Sequence, residues 1–128
     1  SQMGSIELNI FKDKYINFIE HYVFALQEIL IKELLPFEVQ KNGINLGKAR
    51  QIINNSIICL EVNTIIKIND RIVSYNSNDN TYDQGKIVTI QINNQEIDLV
   101  SQDKLPQKIG IKVDFKVKDN QKFYLISM

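Results

Sequence analysis

The chain has 128 residues, a length typical of one domain that encloses a single hydrophobic core. Its 15 basic and 15 acidic residues give a net charge of zero, whereas a domain that binds nucleic acid tightly by itself usually carries a basic excess. A single cysteine excludes an intrachain disulfide and favours a reducing, intracellular compartment. No apolar run approaches the roughly 18 residues that cross a bilayer, and the first residues lack the pattern of a secretory signal.

Residues 1–10 are expected to be a tag remnant, because Ser1 and Gln2 precede Met3, followed by a flexible N-terminus. Residues 11–35 are predicted to form one long amphipathic helix, packed on or beside a sheet, since apolar residues recur there at helical spacing. Asn9 is the predicted N-cap, and Pro36 is predicted to end the helix. Apolar side chains also interrupt the polar side, so two alternatives stay open: the helix caps its own sheet, or it also docks to a partner.

The region of residues 36–55 has no single interpretation. Phe37 and Val39 fit a short edge strand, and residues 49–53 fit either a helical turn or the approach to a strand. Residues 57–68 then alternate as one long strand, with Leu60, Val62, Ile66 and Ile68 on the inner face. Asn69-Asp70 is predicted to turn the chain into a return strand at residues 71–75.

The remaining sequence predicts more antiparallel strands. Residues 76–83 indicate a flexible hairpin loop, residues 86–92 a strand, and Asn93-Asn94 a tight turn or a bulge. Residues 109–117 alternate cleanly and predict a strand, which a turn at Asp119-Asn120 connects to residues 122–126. The predicted fold is mostly β with one long N-terminal α-helix, and residues 36–128 form a five- to six-stranded antiparallel barrel.

No motif in the chain indicates catalysis or metal binding, so neither an enzyme nor a cofactor is expected. His21 is predicted to be a surface residue, and Cys59 has no neighbouring base that would activate it. Asp79 and Asp83 lie in a polar loop that lacks the glycine and terminal glutamate of a calcium loop. A basic strip with a stacking aromatic residue is the candidate nucleic-acid site, and the alternative is an ordinary solvated strand edge: Lys112, Lys116, Lys118, Lys122 and Tyr124.

Residues 52–127 resemble an oligonucleotide/oligosaccharide-binding (OB) fold, a small five-stranded barrel. The segments that carry the resemblance are INNSIICLEVNTIIKIND, RIVSYN, QGKIVTIQI and LPQKIGIKVDFKV. They are similar in spacing to the smallest subunits of single-strand-binding heterotrimers, namely replication protein A and the CST telomere complex. Those subunits carry their partner-binding helix after the barrel, whereas here the predicted helix comes first.

The resemblance implies a non-catalytic accessory or scaffold subunit of a multi-subunit DNA-associated complex in replication, telomere maintenance or DNA modification. Its expected partners are larger protein subunits, with at most weak binding of single-stranded DNA and no membrane or small-molecule substrate. The expected location is the nucleus. The partner-binding residues are predicted to lie on the helix: Tyr15, Tyr22, Phe24, Leu26 and Ile31. The alternative is a homodimerising or peptide-binding β adaptor unrelated to nucleic acid, of the secretion or flagellar-switch kind.

Overall fold

The computed structural model describes the backbone of residues 5–126 and the side chains of residues 12–126. The predicted tag remnant at Ser1 and Gln2 lies outside these residues. The chain divides into two compact units, Ser1–Leu35 and Pro36–Met128.

The first described element is a single helix, α1, which spans Ser5–Asn42 and contains 38 residues. Two predictions about its ends are wrong. Asn9 lies inside the helix rather than at its N-cap, because the helix already begins at Ser5. Pro36 also lies inside it, although a proline lacks the N–H and its ring crowds the preceding turn. The turns after Pro36 are held by the burial of Val39 and by the ion pair between Glu38 and Arg71.

The helix ends at Asn42, about two turns beyond the predicted end at residue 35. The Gly43 N–H donates to the carbonyl oxygen of Val39 at 2.8 Å. A Cβ atom at Gly43 would lie 2.5 Å from that same oxygen, so the close approach requires glycine. Phe37 and Val39, predicted to form a short edge strand, therefore belong to the last turns of α1.

The second unit contains the strands, which are shorter and more numerous than the predicted five or six. Their bounds are β1 Ile44–Lys48, β2 Gln51–Ile53, β3 Ile57–Val62, β4 Ile66–Lys67, β5 Arg71–Asn76, β6 Thr81–Ile92, β7 Gln95–Ile97, β8 Leu99–Val100, β9 Gln107–Val113 and β10 Lys122–Ile126.

The strands form a strongly curled antiparallel sheet. Its order is β1-β10-β5-β6-β9-β3-β2, β7 pairs with β6, and β4 and β8 make a separate pair. The prediction of a mostly β protein with one long N-terminal helix is confirmed. The number of strands differs for two reasons. Residues 36–55, for which no single structure was predicted, contain β1 and β2, and several predicted strands are interrupted.

The strand predicted over residues 57–68 is broken between Val62 and Ile66. Its inner face is confirmed, since Leu60, Val62 and Ile66 are buried and the half-buried Ile68 packs against the core. The chain does turn at Asn69, whose φ is 71°, but β4 pairs with β8 and β5 pairs with β6 and β10. The two flanking strands are therefore not partners in a hairpin.

Asparagines in the left-handed backbone region close several other turns. Asn93 and Asn94 have φ of 52° and 65°, which confirms the predicted tight turn between β6 and β7. Asn120, with φ of 66°, turns the chain into β10 as predicted. The predicted flexible loop of residues 76–83 is much shorter, because Tyr75 pairs directly with Tyr82 across β5 and β6.

The strand predicted over residues 109–117 ends at Val113. Val117 is nonetheless fully buried, because its N–H donates to the carbonyl oxygen of Asn55 at 2.8 Å and holds this segment against the sheet. The core lies inside the curled sheet and consists of aliphatic side chains together with the aromatic ring of Phe123. The fully buried aliphatic members are chiefly Ile58, Leu60, Ile66, Ile72, Ile87, Ile90, Ile111 and Leu125.

Candidate protein-interaction surface

The largest exposed apolar surface in the described chain lies on α1, where every side chain from residue 12 to residue 34 is exposed. Successive residues of an α-helix are rotated by about 100°, so their positions around the axis follow from their numbers. Most of the large apolar side chains fall within an arc of about 160°, here called the apolar face: Tyr15, Ile16, Phe18, Ile19, Tyr22, Val23, Leu26, Ile29, Leu30 and Leu34. Their exposed fractions run from 41% to 67%, far above those of core residues.

The opposite side of α1 is polar and contains Asn17, Glu20, His21, Gln27, Glu28 and Lys32. His21 is exposed, as predicted. Only two charged side chains interrupt the apolar face among the described residues: Lys12 near one end and Glu33 near the other. Phe18 and Tyr22, one turn apart on the face, stack with ring centroids 6.5 Å apart and planes 8° apart.

The predicted partner-binding residues do not all lie on one side of the helix. Tyr15, Tyr22 and Leu26 belong to the apolar face. Phe24 and Ile31 lie on the opposite side, two turns apart and in line with each other, among polar residues. All five are exposed, and their role in binding stays a prediction.

Sequence reasoning missed the regularity within the apolar face. Ile16, Ile19, Val23, Leu26 and Leu30 alternate at spacings of three and four, the a and d positions of a heptad repeat. Tyr15, Tyr22 and Ile29 occupy the adjoining g position and widen this seam. The heptad pattern is present in the sequence. It is obscured because Phe24 and Ile31 place large apolar residues on the polar side as well.

A second surface of interest lies in the β unit, where Tyr82 and Tyr124 line a groove beside the last turns of α1 and Tyr75 packs against Tyr82. Tyr75 and Tyr82 are cross-strand partners with ring centroids 4.6 Å apart. An open groove of about 450 Å³ is lined by Pro36, Phe37, Val39, Gln40, Gly43, Tyr82 and Tyr124. Burial, with smaller contributions from Tyr75 and Tyr124, raises the pKa of the Tyr82 hydroxyl above its usual value.

The predicted basic strip is distributed over the sheet rather than collected at one place. Lys122 and Tyr124 lie on β10, where Lys122 is opposite Tyr75 of β5. Lys112 lies on β9, and both β5 and β6 separate β9 from β10 in the sheet. Lys116 and Lys118 are exposed in the segment that connects β9 to β10.

The structure therefore brings Lys122 and Tyr124 together with the other two tyrosines and leaves Lys112 elsewhere. It also adds Lys48, which is opposite Lys122 on β1. No sequence pattern pointed to Lys48, because it lies on β1 within residues 36–55, for which no single secondary structure was predicted.

The groups with reactive chemistry are dispersed. No cluster of three or more His, Cys, Asp or Glu side chains suited to a metal ion occurs among the described residues. Cys59 is half-buried within β3. The polar loop is occupied by its own contacts, since Asp79 accepts a hydrogen bond from the Thr81 hydroxyl at 2.6 Å. None of the helices in residues 5–126 has the length and apolarity required to cross a membrane.

Comparison with protein-family models and with curated proteins finds no match to this chain.

Proposed function

We propose that this protein is a non-catalytic scaffold subunit that assembles with other proteins through the apolar face of α1. The observation that carries the proposal is the exposure of that face over residues 15–34. Contiguous exposed apolar surface is unusual on an isolated chain and marks sites of protein contact. An amphipathic helix with anchors at spacings of three and four typically docks against other helices or into a groove.

The β unit supplies the second part of the proposal. Its curled antiparallel sheet is compatible with the OB-like barrel that residues 52–127 resemble, and that resemblance points to larger subunits of a DNA-associated complex in the nucleus. The zero net charge is consistent with a subunit that contributes contacts to proteins rather than affinity for DNA.

A controlled purification tests the scaffold role. The tagged full chain is expected to co-purify from its source cells with the same proteins at fixed stoichiometry, including subunits that bind or process DNA. Replacing Tyr22 and Leu26 by serine should remove those proteins, because both substitutions place hydroxyls on the apolar face. Replacing Asn17 and Gln27 by serine on the polar side is the matched control. A wild-type chain recovered alone would contradict the proposal, as would an unchanged assembly in the apolar-face variant.

Weak binding of single-stranded nucleic acid is a second candidate function, favoured by the grouping of Lys48 and Lys122 with the tyrosines Tyr75, Tyr82 and Tyr124. Aromatic rings that stack bases, together with cations that follow the backbone, are sufficient for binding without sequence preference. Fluorescence anisotropy with a labelled oligonucleotide should show binding at low salt that weakens at moderate salt. Tyr124→Ala should weaken it more than Lys112→Gln, and no binding at low salt would refute this function.

A further inference from the structure

The heptad pattern of α1 indicates which partner binds the apolar face. We propose that α1 pairs with α1 of a second copy of this chain, in antiparallel orientation, along the seam formed by Ile16, Ile19, Val23, Leu26 and Leu30. This inference rests on the proposed function, because it names the partner of the same surface. Two features of α1 support this pairing: the order of residues along the seam and the two charges that interrupt it.

The seam is complementary to itself when one helix is reversed. In antiparallel coiled coils each a residue faces a d residue of the partner. Placing Val23 opposite Leu26 of a second copy also places Ile19 opposite Leu30, and a two-fold axis repeats both layers. A two-fold interface requires one surface to match itself in this way.

The two interrupting charges select the orientation. Lys12 and Glu33 both occupy d positions, about three heptads apart. In a parallel pair each would face its own copy, so two lysines would meet at one end and two glutamates at the other. In the antiparallel pair Glu33 faces Ile16 of the second copy, and Lys12 of that copy lies one helical turn away, within reach of the carboxylate. Opposite charges then meet at both ends of the seam.

The antiparallel pair leaves part of the apolar face free for other subunits. Phe18 lies at the edge of that face, outside the a and d positions of the seam, and Tyr22 flanks the seam at a g position. A self-paired chain can therefore still take part in a larger assembly, which is what a scaffold subunit requires.

Charge reversal tests both the partner and the orientation. By sedimentation equilibrium the wild-type full chain should be a dimer. Lys12→Glu and Glu33→Lys should each weaken it by about tenfold or more, because each reversal creates two like-charge contacts in the dimer. The double variant should recover wild-type affinity. Lys14→Glu and Glu28→Lys make the same changes of charge on the polar side and should have little effect.

Each alternative gives a different result. The affinity of a parallel dimer would not change in the single variants, because each reversal replaces one pair of like charges by another. That result would overturn the proposal. A wild-type chain that stays monomeric at high micromolar concentration would overturn self-pairing but leave the scaffold function intact. That function fails if the wild-type chain is purified without other proteins or if the apolar-face substitutions leave the purified assembly unchanged. Circular dichroism of each variant reports whether the helix is retained.

A cross-linking measurement gives the orientation independently of charge. In a Cys59→Ser background, a chain with Ile19→Cys and Leu30→Cys should form a disulfide between position 19 of one copy and position 30 of the other. The two positions lie about 16 Å apart along one helix, so they cannot bond within a chain. Mass spectrometry distinguishes this product from the 19–19 and 30–30 disulfides of a parallel pair, which would contradict the proposal.

Discussion

The ion pair between Glu38 and Arg71 should anchor the last turns of α1 to β5. The Glu38 Oε2 atom lies 2.5 Å from the Arg71 Nη2 atom, and the two side chains are 36% and 29% exposed. Charge centres about 4 Å apart attract by about 1 kcal/mol in water and about 4 kcal/mol at an effective dielectric constant of 20. Partial exposure and the entropy of fixing two long side chains reduce the net value, so we expect a coupling energy of about 1 kcal/mol.

A double-mutant cycle measures this coupling directly. The wild type, Glu38→Gln, Arg71→Met and the double variant are unfolded in urea, and the non-additive part of their unfolding free energies is the coupling. Glutamine keeps the size of Glu38, and methionine keeps much of the aliphatic stem of Arg71. The coupling should shrink in 1 M salt, where screening acts over about 3 Å. A coupling of zero at low salt would refute the idea that this pair holds residues 36–42 against the sheet.

Three further changes test the fold of the β unit. Phe123→Ala should lower the unfolding free energy in urea by about 3–5 kcal/mol, because it empties a fully buried site, and a loss below about 1 kcal/mol would contradict that burial. Gly43→Ala should lower the unfolding free energy by about 1–3 kcal/mol, because the added Cβ meets the Val39 carbonyl. Gly110→Ala should lower it much less, because its Cβ would lie 3.9 Å from the nearest side chain. Equal losses of stability in the two variants would refute the steric explanation. Stability should decline as the pH rises above about 10, because the unfolded chain releases the Tyr82 proton before the folded chain does; Tyr82→Phe should reduce that decline, and absorbance titration should show one fewer late-ionising tyrosine.

Much of the sheet could be predicted from the sequence because its signals are local. Alternation identified the buried faces around Leu60 and Ile111, and paired asparagines identified the turn at Asn93-Asn94. These signals depend on a few neighbouring residues and on burial of one face of a strand. Which strands pair depends on distant contacts, so the sequence did not show that β3 lies beside β9.

The end of α1 shows how a strong local rule can fail. Proline is disfavoured in a helix interior, yet Pro36 is tolerated and the helix continues to Asn42. The ion pair from Glu38 and the burial of Val39 secure the turns beyond it. Both contacts involve residues of the β unit that are distant in sequence, so the residues around Pro36 do not predict them.

The candidate interaction surface was predicted only in outline. An oversized apolar surface on the helix was expected, and Tyr15, Tyr22 and Leu26 do lie on the apolar face. The heptad seam was missed, because a search for any apolar surface gives the same weight to Phe24 and Ile31 on the other side. For the basic strip the obstacle was topological, since residues 112 and 122 are close in the sequence and are separated by two strands in the sheet.

Hydrogen exchange along α1 tests most directly whether the apolar face is covered by a second copy. If two chains pair, the backbone amides of residues 15–34 should exchange slowly at concentrations where the chain is dimeric and quickly after dilution, while the amides of β5 and β6 stay protected at both. Fast exchange along α1 that does not change with concentration would contradict pairing of two chains through the apolar face.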